Sequence, residues 1–521
     1  MKFNRTQNAS RNIFFGVVQR LYQLIVPFVM RTAMIYWLGV EYLGLDGLFT
    51  SILSVLNLAE LGVGSAMVYS MYKPVVEDDK STICALMKLY KIYYRIIGGI
   101  VLVAGLILCP FVPKLISGSI PEGLNIYILF LLNLAATVLS YWLFAYKNSL
   151  LQAYQRVDIV SKVTMGVNTV RYLIQFAVLF VLHDYYLYLI ITLASQAGIN
   201  IATAYIVDKM YPKFKADGDI SSEERKNINQ RIRDLFTAKI GSVVVNSVDT
   251  LVISAFLGLT VLAIYQNYYY IITALLSIIN IFIYSCTAGI GNSIIVETKE
   301  KNYKDLKTFT FLIGCIATIC TCCLVCLYQP FMELWVGKKL MFEFPAVICF
   351  AIYFYIVQIN TLLNTYKDAA GIWHEDRFRP LVTAAVNLVM NLVLVQYWGV
   401  YGVLFSTVFS MLFVGMPWLL HNLFSTLFDK ADVWKFTFNL LSYSIVAFLV
   451  TTISYLFGQL IPLTGIPLMG GRIVICIMVS AVVLVLAFHK TEEFRRAIIL
   501  VDNITKNKFK LNKILEKIKG D

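Results

Sequence analysis

Four residues of the first apolar stretch, Arg20, Gln23, Pro27 and Arg31, are spaced by 3, 4 and 4 and so stack on one face of a helix. The stretch that holds them, "IFFGVVQRLYQLIVPFVMRTAMIYWL", is long enough to cross a bilayer, where a buried charge costs about 2.5 kcal/mol or more. A second polar stripe follows 219 residues later: Lys239, Ser242, Asn246 and Thr250, with Asp249 beside it. Cations held in apolar helices suit a desolvated anion, and guanidinium forks match phosphate oxygens. The plainer reading is an ion pair, or a side chain reaching for the interface. The matched placement of Arg20 and Lys239 favours a shared cationic cavity, to which Arg31 adds. Glu60, in the second apolar run, and Asp249 are expected either to neutralise these cations or to carry a coupling proton or Na⁺. Arg171 is a single charge on its helix, and both readings stay open for it.

The elements that position these residues follow from composition. The chain has 521 residues, 59% hydrophobic and 14% charged, against about 45–50% and 25% for a soluble domain. Apolar runs of spanning length recur throughout, near 12–38, 46–72, 86–112, 124–148, 158–182, 186–208, 235–257, 261–291, 308–335, 342–366, 379–398, 401–421, 435–458 and 469–489. The expected fold is therefore an all-α polytopic membrane protein of about fourteen transmembrane helices. The first run is too long for a removed signal peptide and stays as a span. With both termini in the cytoplasm, most Lys and Arg fall in inside segments, and the outside loops keep Lys114, Lys338, Lys339 and Arg472. The net charge of +13 is then topology and excludes a nucleic-acid footprint.

The chain also repeats itself. An offset of 219 carries "VTMGVNTV" (163–170) onto "VTAAVNLV" (382–389), "LGVEYLG" (38–44) onto "LGLTVLA" (257–263), and Arg20 onto Lys239. Two pseudo-symmetric six-helix lobes are expected, 1–208 and 234–421, joined by a polar cytoplasmic loop at 209–233. Two appended helices at 435–489 and a basic cytoplasmic tail at 490–521 complete the chain. An even number of spans per lobe makes the repeat parallel, about an axis along the membrane normal.

Ten cysteines invite a metal or redox reading, and five of them crowd "FLIGCIATICTCCLVCLY". Cys320 and Cys323 have CxxC spacing, but no second pair and no histidine is near in sequence, so they are read as small hydrophobes. No metal and no cofactor is expected. No GxxxxGK[ST] loop is present, the longest outside loops are short, and three of four histidines sit at span ends. The chain is therefore not expected to be an enzyme.

Fourteen spans, a six-plus-six repeat with two further helices, "LAELGVGSAMVYSMYKP", "NSVDTLVISAFLGL" and "GVYGVLFSTVFS" together resemble the polysaccharide-type (Wzx-like) flippases. These belong to the multidrug/oligosaccharidyl-lipid/polysaccharide (MOP) exporter superfamily. The resemblance implies an undecaprenyl-diphosphate-linked oligosaccharide as substrate, flipped across the bacterial plasma membrane by alternating access for surface-polysaccharide synthesis. It implies a monomer embedded in lipid, working beside polysaccharide-synthesis machinery. Arg20, Arg31 and Lys239 would hold the diphosphate. Gln23, Asn246, Gln266, Asn267, Tyr268, Gln358, Asn360 and Asn364 are candidate sugar contacts, with interhelical hydrogen bonds as the alternative. The rival readings are a peptidoglycan-precursor flippase, a drug antiporter of the same superfamily, and a membrane glycosyltransferase or polymerase.

Overall fold

A computed structural model describes residues 5–118 and 120–504, with side chains from Phe15 to Asp502 except those at 119, 238, 239, 242, 245 and 246. The described residues form helices and turns without a strand, as a backbone in lipid requires when it must satisfy its own hydrogen bonds. Two compact units divide the chain at Gln266/Asn267.

The first unit contains α1 (Arg5–Trp37), α2 (Val40–Leu56), α3 (Val63–Glu77), α4 (Lys80–Leu108) and α5 (Ile126–Trp142). It continues with α6 (Asn148–Ala153), α7 (Val157–Val181), α8 (Tyr185–Met210) and α9 (Ser222–Leu257). α10 (Leu259–Ser285) carries the chain across the division. The second unit holds α11 (Thr287–Val296), α12 (Lys299–Val336), α13 (Phe344–Ala369), α14 (Arg379–Trp398) and α15 (Val400–Phe409). A π-helical turn at Ser410–Gly415 follows, then α16 (Met416–Thr426), α17 (Val433–Gln459), α18 (Gly465–Phe488) and α19 (Glu492–Ile504).

Among the described residues, eleven helical segments are long and apolar enough to cross a membrane, or twelve if the bent pair α5–α6, turned by 47°, counts as one span. The chain is thus a multi-pass membrane protein. The expected spans 12–38 and 235–257 lie on α1 and α9, each of which includes side chains outside the described residues. Helix ends follow local chemistry. Asp79 caps α4 through Thr82 N (3.1 Å), and Asn125 caps α5 through Tyr127 N (3.0 Å). Ser221 caps α9 through Glu224 N (3.1 Å), with the acidic third residue of a capping box. Gly39 (φ 126°) and Gly258 (φ 88°), 219 residues apart, each turn the chain into the next helix in a conformation that other residues rarely adopt.

Within the first unit, α1 packs on α7, α7 on α8, and α8 on α5; α2 and α3 both pack on α9. The start of α10 lies on α2 so closely that a Cβ at Gly44 would meet the Leu259 carbonyl oxygen at 2.4 Å. Thr260 donates a hydrogen bond to Glu41 (3.1 Å), and the Gln266 amide fills the space over Gly47. In the second unit α12 is the hub, packing on α13, α17 and α18, while α17 and α18 pack on each other. α18 is patterned inside out. Cys476, Ser480 and Leu484 face inward, and Val474, Ile477, Met478 and Leu486 face outward, as expected of a helix bathed in lipid. Arg472, expected in an outside loop, lies inside α18 and donates to the carbonyls of Cys326 (2.9 Å) and Gly458 (3.2 Å). α19 returns to α12 through Arg496–Asp305 (2.6 Å) and Lys307–Glu493 (2.8 Å).

The α2–α10 approach can be checked directly. Gly44→Ala forces backbone apart and should lower stability by about 1–3 kcal/mol. Gly99→Ala, in mid-helix with open space around it, should be neutral or gain up to about 1 kcal/mol. Thermal unfolding of the two variants in detergent measures the contrast.

Candidate functional site

The charged group inside the first unit is built on α1, α2 and α7. Aromatic contacts zip α1 to α7: Tyr22 hydrogen-bonds Thr169 (3.0 Å), and Trp37 packs edge-on against Phe176 (4.9 Å) and Phe180 (5.3 Å). Arg31 lies between these anchors on α1 and is half-buried. Arg171, on α7, is also half-buried and rests over the Tyr172 ring at 4.2 Å. Both guanidinium charges act on the carboxylate of Asp46 in α2. Arg171 thus lies within electrostatic reach of a carboxylate on another helix. Asp46 had no place among the sequence candidates, although its position inside an apolar run was signal enough.

Tyrosines close the group. The charge of Asp46 reaches Tyr172, Tyr185 and Tyr188. Tyr185 and Tyr188 of α8 stack at 5.9 Å with planes 15° apart, and Tyr42 meets Tyr185 edge-on at 5.2 Å. The Tyr185 hydroxyl is buried without a hydrogen-bond partner among the described residues. Gln175 of α7 donates to Tyr188 O (3.0 Å) and Thr192 Oγ1 (2.8 Å), which holds α7 against α8. Asn168, Arg171 and Gln175 repeat at 3 and 4 residues, the spacing that marks the α1 stripe. The sequence signal was present on α7 and simply weaker, because only one of the three is charged. Among the described residues, two guanidiniums and one carboxylate meet here, with hydroxyls and an amide around them. Such a wall can receive a polyoxygen anion and hydrogen-bond what the anion is attached to.

The other candidates distribute as follows. Arg20 and Gln23 are exposed on α1. Lys239 and Asn246 lie on α9, with side chains outside the described residues. Glu60 accepts a hydrogen bond from Tyr94 (3.2 Å), whose own hydroxyl accepts one from Tyr90 (2.6 Å). Asp249 is buried and takes the Tyr265 hydroxyl at 3.4 Å. Gln266 packs over Gly47.

In the second unit, Tyr268 is fully buried among Tyr328, Phe342 and Phe350. Its hydroxyl donates to Gln329 (3.3 Å) and accepts from Phe342 N (3.3 Å). That environment makes it a core residue of the unit. Asn267 is also fully buried. Asn364 donates to Asn360 O (2.8 Å) and accepts from Arg379 (2.7 Å). Arg379 in turn clamps Asp376 with two bonds, at 2.6 and 2.7 Å. Gln358 is fully buried with neither amide atom hydrogen-bonded among the described residues. Asn364 and Tyr268 thus bond to residues beyond their own helices, whereas the Asn360–Asn364 bond lies within α13.

Comparison with known proteins places the fold. No family model matches the chain, and no curated protein matches it in sequence. Among solved structures, "Lipid II flippase MurJ" in an inward closed conformation superposes with a TM-score of 0.66 at 15% identity, covering 91% of this chain and 98% of that one. An inward-facing multidrug resistance MATE family transporter of the MOP superfamily superposes with a TM-score of 0.61 at 15% identity, covering 80% and 99%. A MOP superfamily transporter from Pyrococcus furiosus, described by the reversed polarity of its binding pocket, gives 0.51 at 11% identity, covering 82% and 96%. The chain has the MOP superfamily fold.

The Asp46 group makes a stability prediction. Asp46→Asn removes a carboxylate on which two half-buried cations act and should cost about 1–3 kcal/mol. Adding Arg171→Gln should restore part of that loss. Melting temperatures of the single and double variants in detergent would show the coupling, and strict additivity would exclude it.

Proposed function

We propose that the chain is a flippase for a lipid-linked oligosaccharide carried on undecaprenyl diphosphate. The observation that carries this reading is the wall in which Arg31 and Arg171, from two helices, both act on Asp46. A diphosphate presents several oxygens and at least two negative charges to such a wall. The surrounding tyrosines and Gln175 suit a polar sugar, and the lipid tail can remain in the bilayer. Arg20 and Lys239, matched across the repeat, would extend the same grip, with Gln23 and Asn246 beside them. Glu60 and Asp249 are the acidic groups placed to carry a coupling ion. A drug-cation antiporter would require an anionic wall, which this one is not.

The MurJ likeness favours one further reading, a lipid II flippase, because that substrate shares the diphosphate. Complementation separates the two. The chain should restore surface polysaccharide in a strain lacking an oligosaccharide flippase, and should fail in a strain depleted of its lipid II flippase. The reverse pattern would select lipid II.

Two further outcomes follow. At matched membrane expression, Arg31→Ala and Arg171→Ala should each cut complementation at least about tenfold, and the Lys variants should retain more because charge survives without the fork. Full activity of the Arg31→Ala/Arg171→Ala double variant would remove the site from the mechanism. For topology, cysteines introduced in 113–123 and 459–468 should react with an impermeant reagent in intact cells, and those in 212–232 should not.

A further inference from the structure

The cysteines of α12 acquire a partner that their sequence did not reveal. Cys322 and Cys326 lie one helical turn apart on the face of α12 that meets α18, where Cys476 projects between them. The three sulfurs all lie within 4.8 Å of one another. Their side chains are 0%, 1% and 0% exposed. The CxxC pair Cys320–Cys323 is not the core of this group; spacing of four, not three, aligns the thiols. Cys323 touches Cys476 from the side. Ser454 of α17 and Ser480 of α18 place fully buried hydroxyls beside Cys322. Val446, Val450 and Val483 surround the group with hydrocarbon.

Three thiols converging in a dry pocket, with two hydroxyls beside them, form a ligand set of soft donors. We propose that Cys322, Cys326 and Cys476 bind one monovalent copper ion in a three-coordinate sulfur site. Thiolates prefer soft d¹⁰ cations, and a three-sulfur set without a fixed fourth ligand suits Cu(I) better than tetrahedral Zn(II). Binding forms copper–sulfur bonds and releases the displaced thiol protons to solvent. Three thiolates on Cu(I) leave two negative charges; one is offset by Arg472, one turn before Cys476 on α18, whose guanidinium is bonded to the Cys326 carbonyl (2.9 Å). The ion would staple α18 and, through Ser454, the face of α17 to α12. The site is independent of the transport reading.

The test uses the full-length protein, purified in detergent under anaerobic, reducing conditions and titrated with Cu(I) held by bicinchoninate. One equivalent should move from chelator to protein, with a thiolate-to-copper charge-transfer band and a raised melting temperature. Cys476→Ser and Cys322→Ser should each lose more than about 100-fold in apparent affinity, while Cys84→Ser and Cys349→Ser should not change it. X-ray absorption on the wild-type complex should count three sulfur ligands, a readout that needs no variant to fold. No transfer of copper, transfer unchanged in Cys476→Ser, or a preference for Zn(II) in parallel titration would each overturn the assignment.

Discussion

Charge neutralisation inside a low-dielectric layer governs the first unit. The charges of Arg31 and Arg171, both in apolar helices, act on the carboxylate of Asp46. That interaction links α1, α2 and α7, and the aromatic contacts between α1 and α7 maintain it. A structure of this kind cannot relax one charge without disturbing two helices.

The fold was legible because the bilayer imposes a coarse rule. Length and hydropathy are enough to find a span, and the expected runs coincide with helices from α1 to α18. The polar interior was harder to read because its signal is pairwise. Glu60 accepts a hydrogen bond from Tyr94, and Asp46, fourteen residues earlier, is a further carboxylate within reach of the Arg31 charge. Tyr268 looked like a sugar platform, yet aromatic neighbours from distant helices bury it. Helical spacing tells which face a residue occupies; it does not tell what stands opposite. The same limit hid Cys476, 150 residues from Cys326.

The second unit follows a different economy of polar groups. Arg379, Asp376 and Asn364 satisfy one another at the junction of α13 and α14, and Asn422 adds a hydrogen bond to Asp376 at 3.0 Å. Such a fully connected set rigidifies the turn that precedes α14. In the first unit a buried aspartate, Asp158, opens α7 in the same manner, paired with Arg156 (3.1 Å) and Lys162 (3.2 Å). Both helices that follow these clamps begin close to a buried carboxylate, so their N-terminal ends are expected to be the least mobile parts of the two helices.

The contacts between α2 and α10 carry a further meaning. On the 219-residue repeat, Glu41 and Thr260 are one position counted twice, as are Gly47 and Gln266, and each pair is in contact. Two copies of a single half, assembled as a symmetric dimer, would have to set identical residues against each other at such points. Two glutamates there would repel, and two glutamines would compete for the space that one fills only because glycine lies opposite. In this chain Thr260 hydrogen-bonds Glu41 and Gln266 fills the space over Gly47, pairings of unlike residues that two identical copies could not make at such points.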